Sequence, residues 1–189
     1  NSIGSYKESF KIISFLARVA YNYNSKYYAT VSVRRDGSSK FGANNRWANF
    51  PSASVAWRIS QENFLKNITW INELKINAGF GVVGNQDAIG PYNTLLTLGG
   101  AGRFFDPTTS TYQYPQSYTP NQNANPDLKW AERHGQNIGV SFALFDSRLS
   151  GSVNVYNDKT KNLLFTYNVP VPPFFYNSIL ANVGDLSNK

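Results

Sequence analysis

Six stretches of the chain alternate strictly between apolar and polar side chains. In the first, Phe15, Ala17, Val19, Tyr21 and Tyr23 alternate with Ser14, Leu16, Arg18, Ala20 and Asn22. Tyr27, Ala29, Val31 and Val33 follow against Tyr28, Thr30, Ser32 and Arg34, then Ala53, Val55, Trp57 and Ile59 against Ser52, Ser54, Ala56 and Arg58. A fourth sets Leu74, Ile76, Ala78, Phe80 and Val82 against Lys75, Asn77, Gly79 and Gly81. The last two place Ile138, Val140, Phe142 and Leu144, then Leu149, Gly151, Val153 and Val155, opposite Asn, Gly, Ser, Ala and Tyr. A period of two gives each stretch one apolar and one polar face, which is a β-strand pattern. The chain is therefore predicted to be all-β, with six or seven antiparallel strands.

The connections alternate in length. Asn24-Ser25-Lys26 and Asp146-Ser147 are tight turns, and residues 60–72 are an intermediate connection for which a helical turn capped by Ser60 is expected. On the other side lie long polar loops at about 36–47, 84–132 and 159–176. Asp36-Gly37-Ser38-Ser39 is expected to be a turn, with Asp36 capping amides and Gly37 at positive φ, and Gly99-Gly100-Ala101-Gly102 a flexible loop rather than a dinucleotide site. Short turns at one end and long loops at the other match outer-membrane barrels. Tyr21, Tyr23, Tyr27, Tyr28, Trp57, Phe64, Phe142 and Phe145 near the short-turn end suit an interfacial girdle, or the packed interior of a soluble sheet.

Composition narrows the function classes. Aromatic residues make up 15% of the chain and charged residues only 15%, an unsuitable mix for a helical enzyme. Cysteine is absent, excluding disulfides and thiolate chemistry, and the single histidine, His134, has no metal-ligand cluster around it. No nucleophile–base pair or phosphate loop is present, so no catalytic residue, metal or cofactor is expected. The net charge of +7 is spread over single basic residues, with Arg34-Arg35 as the one adjacent pair, and nucleic acid is not an expected partner. No apolar run reaches the length of a transmembrane helix, but barrel strands need only about ten residues each. Two architectures fit: a transmembrane barrel, whose apolar faces would form one continuous band, or a soluble β-sandwich of lectin type binding glycan through loop aromatics. A fibrous strand array is disfavoured, because no repeat is visible.

Three longer segments decide between them. SFLARVAYNYNSKYYATVSVRRDGSSKFGANNRWANFPSASVAWRIS (14–60), INELKINAGFGVVGNQDAIGPY (71–92) and NPDLKWAERHGQNIGVSFALFDSRLSGSVNVYNDKTKNLL (125–164) resemble barrel segments of the SusC/RagA family, and NVGDLSNK (182–189) resembles the start of the next segment. The resemblance implies a TonB-dependent outer-membrane transporter with a barrel of roughly 22 strands. Residues 1–189 would be a partial barrel domain, without the plug domain or the remaining strands. The three long loops would then be extracellular. Implied partners are a SusD-like lipoprotein, the TonB complex, outer-membrane lipid and an oligosaccharide or peptide substrate. Such an excerpt, with open edges and an apolar face, is not expected to be stable alone in water.

Candidate contacts for substrate or lid lie in the loops and at their edges. Asn85 and Gln86 could hydrogen-bond a substrate or anchor the loop that follows. Trp47, Trp130, Tyr112, Tyr114 and Tyr118 could stack on a sugar ring, pack the loops together or meet the lid.

Overall fold

The computed structural model describes residues 7–65, 67–104 and 115–189. Seven strands make one antiparallel sheet: β1 (Ile12–Tyr23), β2 (Tyr27–Ser38), β3 (Trp47–Arg58), β4 (Ile71–Asn85), β7 (Ala131–Leu144), β8 (Leu149–Asn168) and β9 (Ser178–Asn188), paired in that order. Strands β5 (Leu98–Arg103) and β6 (Gln116–Pro120) form a separate pair inside the β4–β7 connection. Because neighbours run antiparallel, connections 24–26, 59–70 and 145–148 share one end, and 39–46, 86–130 and 169–177 share the other. The length asymmetry read from the sequence is thus a property of the two ends of one sheet. Asn24 and Ser25 close the first turn at positive φ, helped by the Asn22 side chain, which accepts a hydrogen bond from Ser25 N at 3.1 Å.

The loops are shorter than the composition suggested. Asp36, Gly37 and Ser38 continue β2 instead of turning, and Gly37 does not take positive φ. Its missing side chain serves another purpose: a Cβ there would sit 2.8 Å from the Trp47 ring on β3. Asp36 accepts from Arg34 Nε at 2.7 Å rather than capping backbone amides. The expected loop from residue 159 is strand as far as Asn168; a bulge with Asn162 at positive φ shifts the register between Thr160 and Leu164, which broke the alternation. The strand stops where Pro170, Pro172 and Pro173 remove donors. Gly99–Gly102 lies in β5, held by pairing with β6. Ser60 lies inside a 3₁₀ turn (Ile59–Gln61) rather than capping a helix, and its hydroxyl has no hydrogen-bond partner.

Register makes the apolar residues of six strands into one band. One row across the sheet runs Tyr21, Ala29, Val55, Ala78, Ile138 and Val155; the next runs Tyr23, Tyr27, Trp57, Ile76, Val140 and Val153. Among the described residues no second sheet covers it, and Val19, Val31, Val55, Ile138, Val153 and Val155 are all exposed. A contiguous apolar face of this extent needs lipid or protein against it. This finding disfavours the sandwich, which would bury that face on a partner sheet.

The band is also inclined. From β2 to β8 its lower edge passes from Tyr27 to Leu149 and its upper edge from Val33 to Val155, a drop of two residue-pair rows at both edges across four strand steps. Two rows are about 13 Å and four steps about 19 Å, so a band lying flat in a membrane makes the strands lean by about 35°. Membrane barrels lean by about 35–45°.

Among the described residues, dry packing is confined to the long-loop end. The β3–β4 ladder stops at Ser52–Gly81, next to Pro51, which has no N–H to donate. Beyond it Phe50, Val82, Phe41, Ile89, Leu128 and Trp130 pack into a small buried cluster. The Phe41 and Trp130 rings stack at 4.7 Å, and Phe50 meets Trp130 edge-on at 5.5 Å. Glycine is required at 84, where a Cβ would enter the Phe50 ring, and at 42, where it would enter the Pro126 carbonyl. Asparagine side chains then fasten the returning segment to β9 and the residues just before it: Asn123 donates to the carbonyls of Tyr176 and Ser178 (2.7 and 2.8 Å), Asn125 to Leu180 O (2.8 Å), and Asn182 to Lys129 O (2.8 Å). The long β4–β7 connection is therefore anchored along its return.

At the short-turn end the aromatics form a row. Tyr23, Tyr27 and Trp57 follow one another with centroids 6.4 and 6.3 Å apart, and Trp70 stacks on Phe145 at 5.9 Å. Glu62, from the connection below, accepts from Tyr27 Oη (2.7 Å), Lys26 Nζ (3.0 Å) and Trp57 Nε1 (3.2 Å). These donors, Tyr27 first, lower its pKa to about 2. A lowered folded-state pKa stabilises above the ordinary carboxylate value, and the contribution fades as pH falls towards 2. In thermal melts of the full-length protein, the stability difference between wild type and Glu62→Gln should be full at pH 6 and shrink from about pH 4.5 downwards. A difference independent of pH would contradict the charged cluster.

Candidate functional site

The face opposite the apolar band carries the polar positions of the alternation and two concave surfaces. Its mid-section is a trough of about 430 Å³ whose walls include Thr30, Ser52, Ser54, Asn137, Tyr156 and Asp158. The floor is kept low by Gly79, Gly81 and Gly135. Thr30, Ser52, Ser54 and Asn137 set hydrogen-bonding groups among largely apolar surface from Ala53, Phe80 and Val83, with Arg133 and Asp158 as the fixed charges.

Towards the long loops the trough meets a second concavity of about 490 Å³, sharing Val83 and Arg133 with it. Arg34, Asp36, Asn85, Gln86, Asp87, Trp130 and Thr160 line it. The alternation places Arg34 and Asp36 on the same face of β2, where the buried Asp36 carboxylate holds the guanidinium. Arg133 on β7 is held by Asp158 on β8. Each guanidinium is tethered at one nitrogen and remains more than half exposed, so further donors face the opening. Gln86 is buried, with Oε1 unpaired, and Asn85 Oδ1 accepts from Asp87 N at 2.7 Å. The arrangement suits a ligand with polar groups of both kinds along its length. Among the described residues no His, Cys, Asp and Glu group could hold a metal ion.

The candidates from the sequence separate into groups. Asn85, Gln86 and Trp130 come together at this concavity. Trp130 is nearly enclosed, its indole stacked on Phe41 and donating to Arg46 O at 3.4 Å, so little of the ring is free for a ligand. Trp47 lies on the opposite face, stacked with Phe15 at 6.0 Å and beneath Arg35 at 5.3 Å. Tyr118 is exposed on β6, outside both concavities. Tyr112 and Tyr114 lie outside the described residues. Arg34, Asp36, Asp87, Arg133 and Thr160 were not anticipated as site residues. The signal for Arg34 and Arg133 was available: both sit at polar positions of the alternation, near long-loop ends.

A model of the family described as TonB dependent receptor-like, beta-barrel matches residues 3–189. The chain belongs to the TonB-dependent receptor β-barrel family. Relatives include TonB-dependent receptor P39 of Formosa agariphila, 40% identical over all of this chain and 17% of that protein. Another is TonB-dependent receptor SusC of Bacteroides thetaiotaomicron, 32% identical over 94% of this chain and 17% of that protein. Among solved structures, the RagAB peptide importer in its open-open state superposes with a TM-score of 0.83 at 28% identity, covering 94% of this chain and 18% of that one. The chain thus spans less than a fifth of the length of these relatives. It is a wall segment of an outer-membrane barrel of SusC and RagA type.

Proposed function

We propose that this wall belongs to a TonB-dependent importer that takes up oligosaccharides or peptides together with a SusD-like surface lipoprotein. The observation that carries this reading is one sheet with two opposed surfaces: an unbroken apolar band, and a polar trough opening at the long-loop end into a concavity with tethered arginines. The loops at about 39–46, 86–130 and 169–177 are extracellular in this reading and meet the substrate or the lipoprotein lid. The wall itself is passive. It supplies hydrogen bonds along the lumen, while energy from the TonB complex acts through parts of the protein beyond these residues.

The test uses the native full-length protein in its own membrane. Uptake of labelled oligosaccharides and labelled peptides is compared in cells with and without the protein, and with and without TonB. Substrate of one class should accumulate only when both are present, and Arg133→Ala should lower that uptake while the heat-modifiable barrel band persists. Energy-independent accumulation, or none of either class above the deletion strain, would overturn the reading.

A further inference from the structure

Arg34 and Arg133 stand on either side of the fork between β3 and β4. The β2–β3 register sets Arg34 beside Phe50, and the β4–β7 register sets Arg133 beside Val83. Carried two residues past its last pair, Ser52–Gly81, the β3–β4 register brings Phe50 level with Val83, so the two arginines lie on one row. They are three strand steps apart, at least about 14 Å between backbones, and line the same concavity. About four residues of extended chain span that distance. Asp36 holds Arg34 at Nε and Asp158 holds Arg133 at one terminal nitrogen, which leaves the other N–H groups of each planar fork for a second acceptor. That fork matches a carboxylate.

The neighbouring acids do not cancel this. Asp36 and Asp158 are each turned onto an arginine and nearly covered, with side chains 5% and 14% exposed. Asp87 is exposed at the same concavity and has no ion-pair partner among the described residues, so it offers a place for an ammonium group. The mouth therefore presents fixed charge of both signs, and the trough below adds apolar surface from Ala53, Phe80 and Val83. Flat aromatic platforms, on which sugar rings stack, are scarce. Of the described tryptophans and tyrosines, Trp130 and Tyr156 line the two concavities, and Trp130 is enclosed. Charges of both signs beside apolar surface match the side chains of a peptide better than the hydroxyls of a neutral oligosaccharide.

We propose that Arg34 and Arg133 form a carboxylate-binding site at the lumen mouth, and that its ligand is a peptide held through acidic side chains or its C-terminus. The proposal rests on the importer reading above and selects one of its two substrate classes.

The probes are a short peptide of glutamate, alanine and lysine with free termini, the same peptide with glutamine for glutamate and a C-terminal amide, and an oligouronate of similar length. Binding to the full-length protein, purified from its native membrane in neutral detergent, is measured by calorimetry. The glutamate peptide should bind about tenfold or more tightly than its neutralised form, the difference expected when charged hydrogen bonds are lost. Arg34→Lys/Arg133→Lys keeps a cation beside each aspartate but removes the fork, and should bind the glutamate peptide about tenfold more weakly than wild type. Lys159→Gln, on the outward face, should bind as wild type. The two-peptide comparison on wild type stands even if the double variant fails to fold. No binding of the glutamate peptide, equal binding of both peptides, an unaffected double variant, or tighter binding of the oligouronate would each overturn the proposal. TonB-dependent uptake is scored separately in cells. Uptake of oligosaccharide alone would overturn the peptide assignment and leave the importer standing, whereas carboxylate-selective peptide binding without TonB-dependent uptake would support the site and remove the importer.

Discussion

Arginine at Val31 or Val140 is expected to destabilise the full-length barrel in a bilayer by about 2–4 kcal/mol, the cost of a cation near the membrane midplane. Both positions lie inside the apolar band, Val31 in the row with Val19 and Ala53, Val140 in the row with Ile76 and Val153. Their neighbours Ser32 and Ser141 point to the polar face, where the Ser32 and Ser52 hydroxyls are 2.6 Å apart. Arginine at Ser32 or Ser141 meets the lumen and is expected to cost much less, about 1 kcal/mol or below, because the charge keeps its hydration. Unfolding of the four variants in lipid vesicles, referenced to wild type, measures the contrast. Equal losses at all four positions would show that neither face meets lipid, and a larger loss at the serines would invert the facing.

The second large effect concerns the rim. Trp130→Ala removes the centre of the Phe41, Phe50 and Leu128 cluster and should cost about 3–5 kcal/mol locally. Among the described residues the buried apolar side chains beside the start of β7 belong to this one cluster, so the loss falls on the loops it holds. Opening of the 86–130 connection should become about a hundredfold or more frequent, read as faster nicking by protease added outside intact cells. Tyr118→Ala, on the exposed β5–β6 pair, should leave the nicking rate near wild type. If Trp130→Ala nicks no faster, the asparagine clamps on β9 hold the segment without the cluster.

How far the site could be read from the chain follows the same physics. Asn85 and Gln86 stood out because they sit at and just past the end of a clear alternating strand, and the fold places both at the second concavity. Trp47 and Trp130 looked equivalent as loop-edge aromatics, yet one is exposed beside the band and the other is enclosed over Phe41. Their fates depend on neighbours distant in the chain: Phe15 for Trp47, and for Trp130 the Arg46 carbonyl 84 residues away. Asp36-Gly37-Ser38 has turn composition, but pairing with β1 and β3 outweighs that local preference.

Local periodicity by itself determined that the chain is β, which side of each strand is apolar, and which connections are tight. That information is carried by adjacent side chains, because a strand turns each successive residue to the opposite face. Register, the inclination of the band, the extension of β8 past its bulge, the closing of the β3–β4 gap by loop side chains and the meeting of Arg34 with Arg133 were decided only by the tertiary structure. Each depends on how far one strand slides along another. That slide is set by contacts between residues distant in the chain, and no local pattern records it.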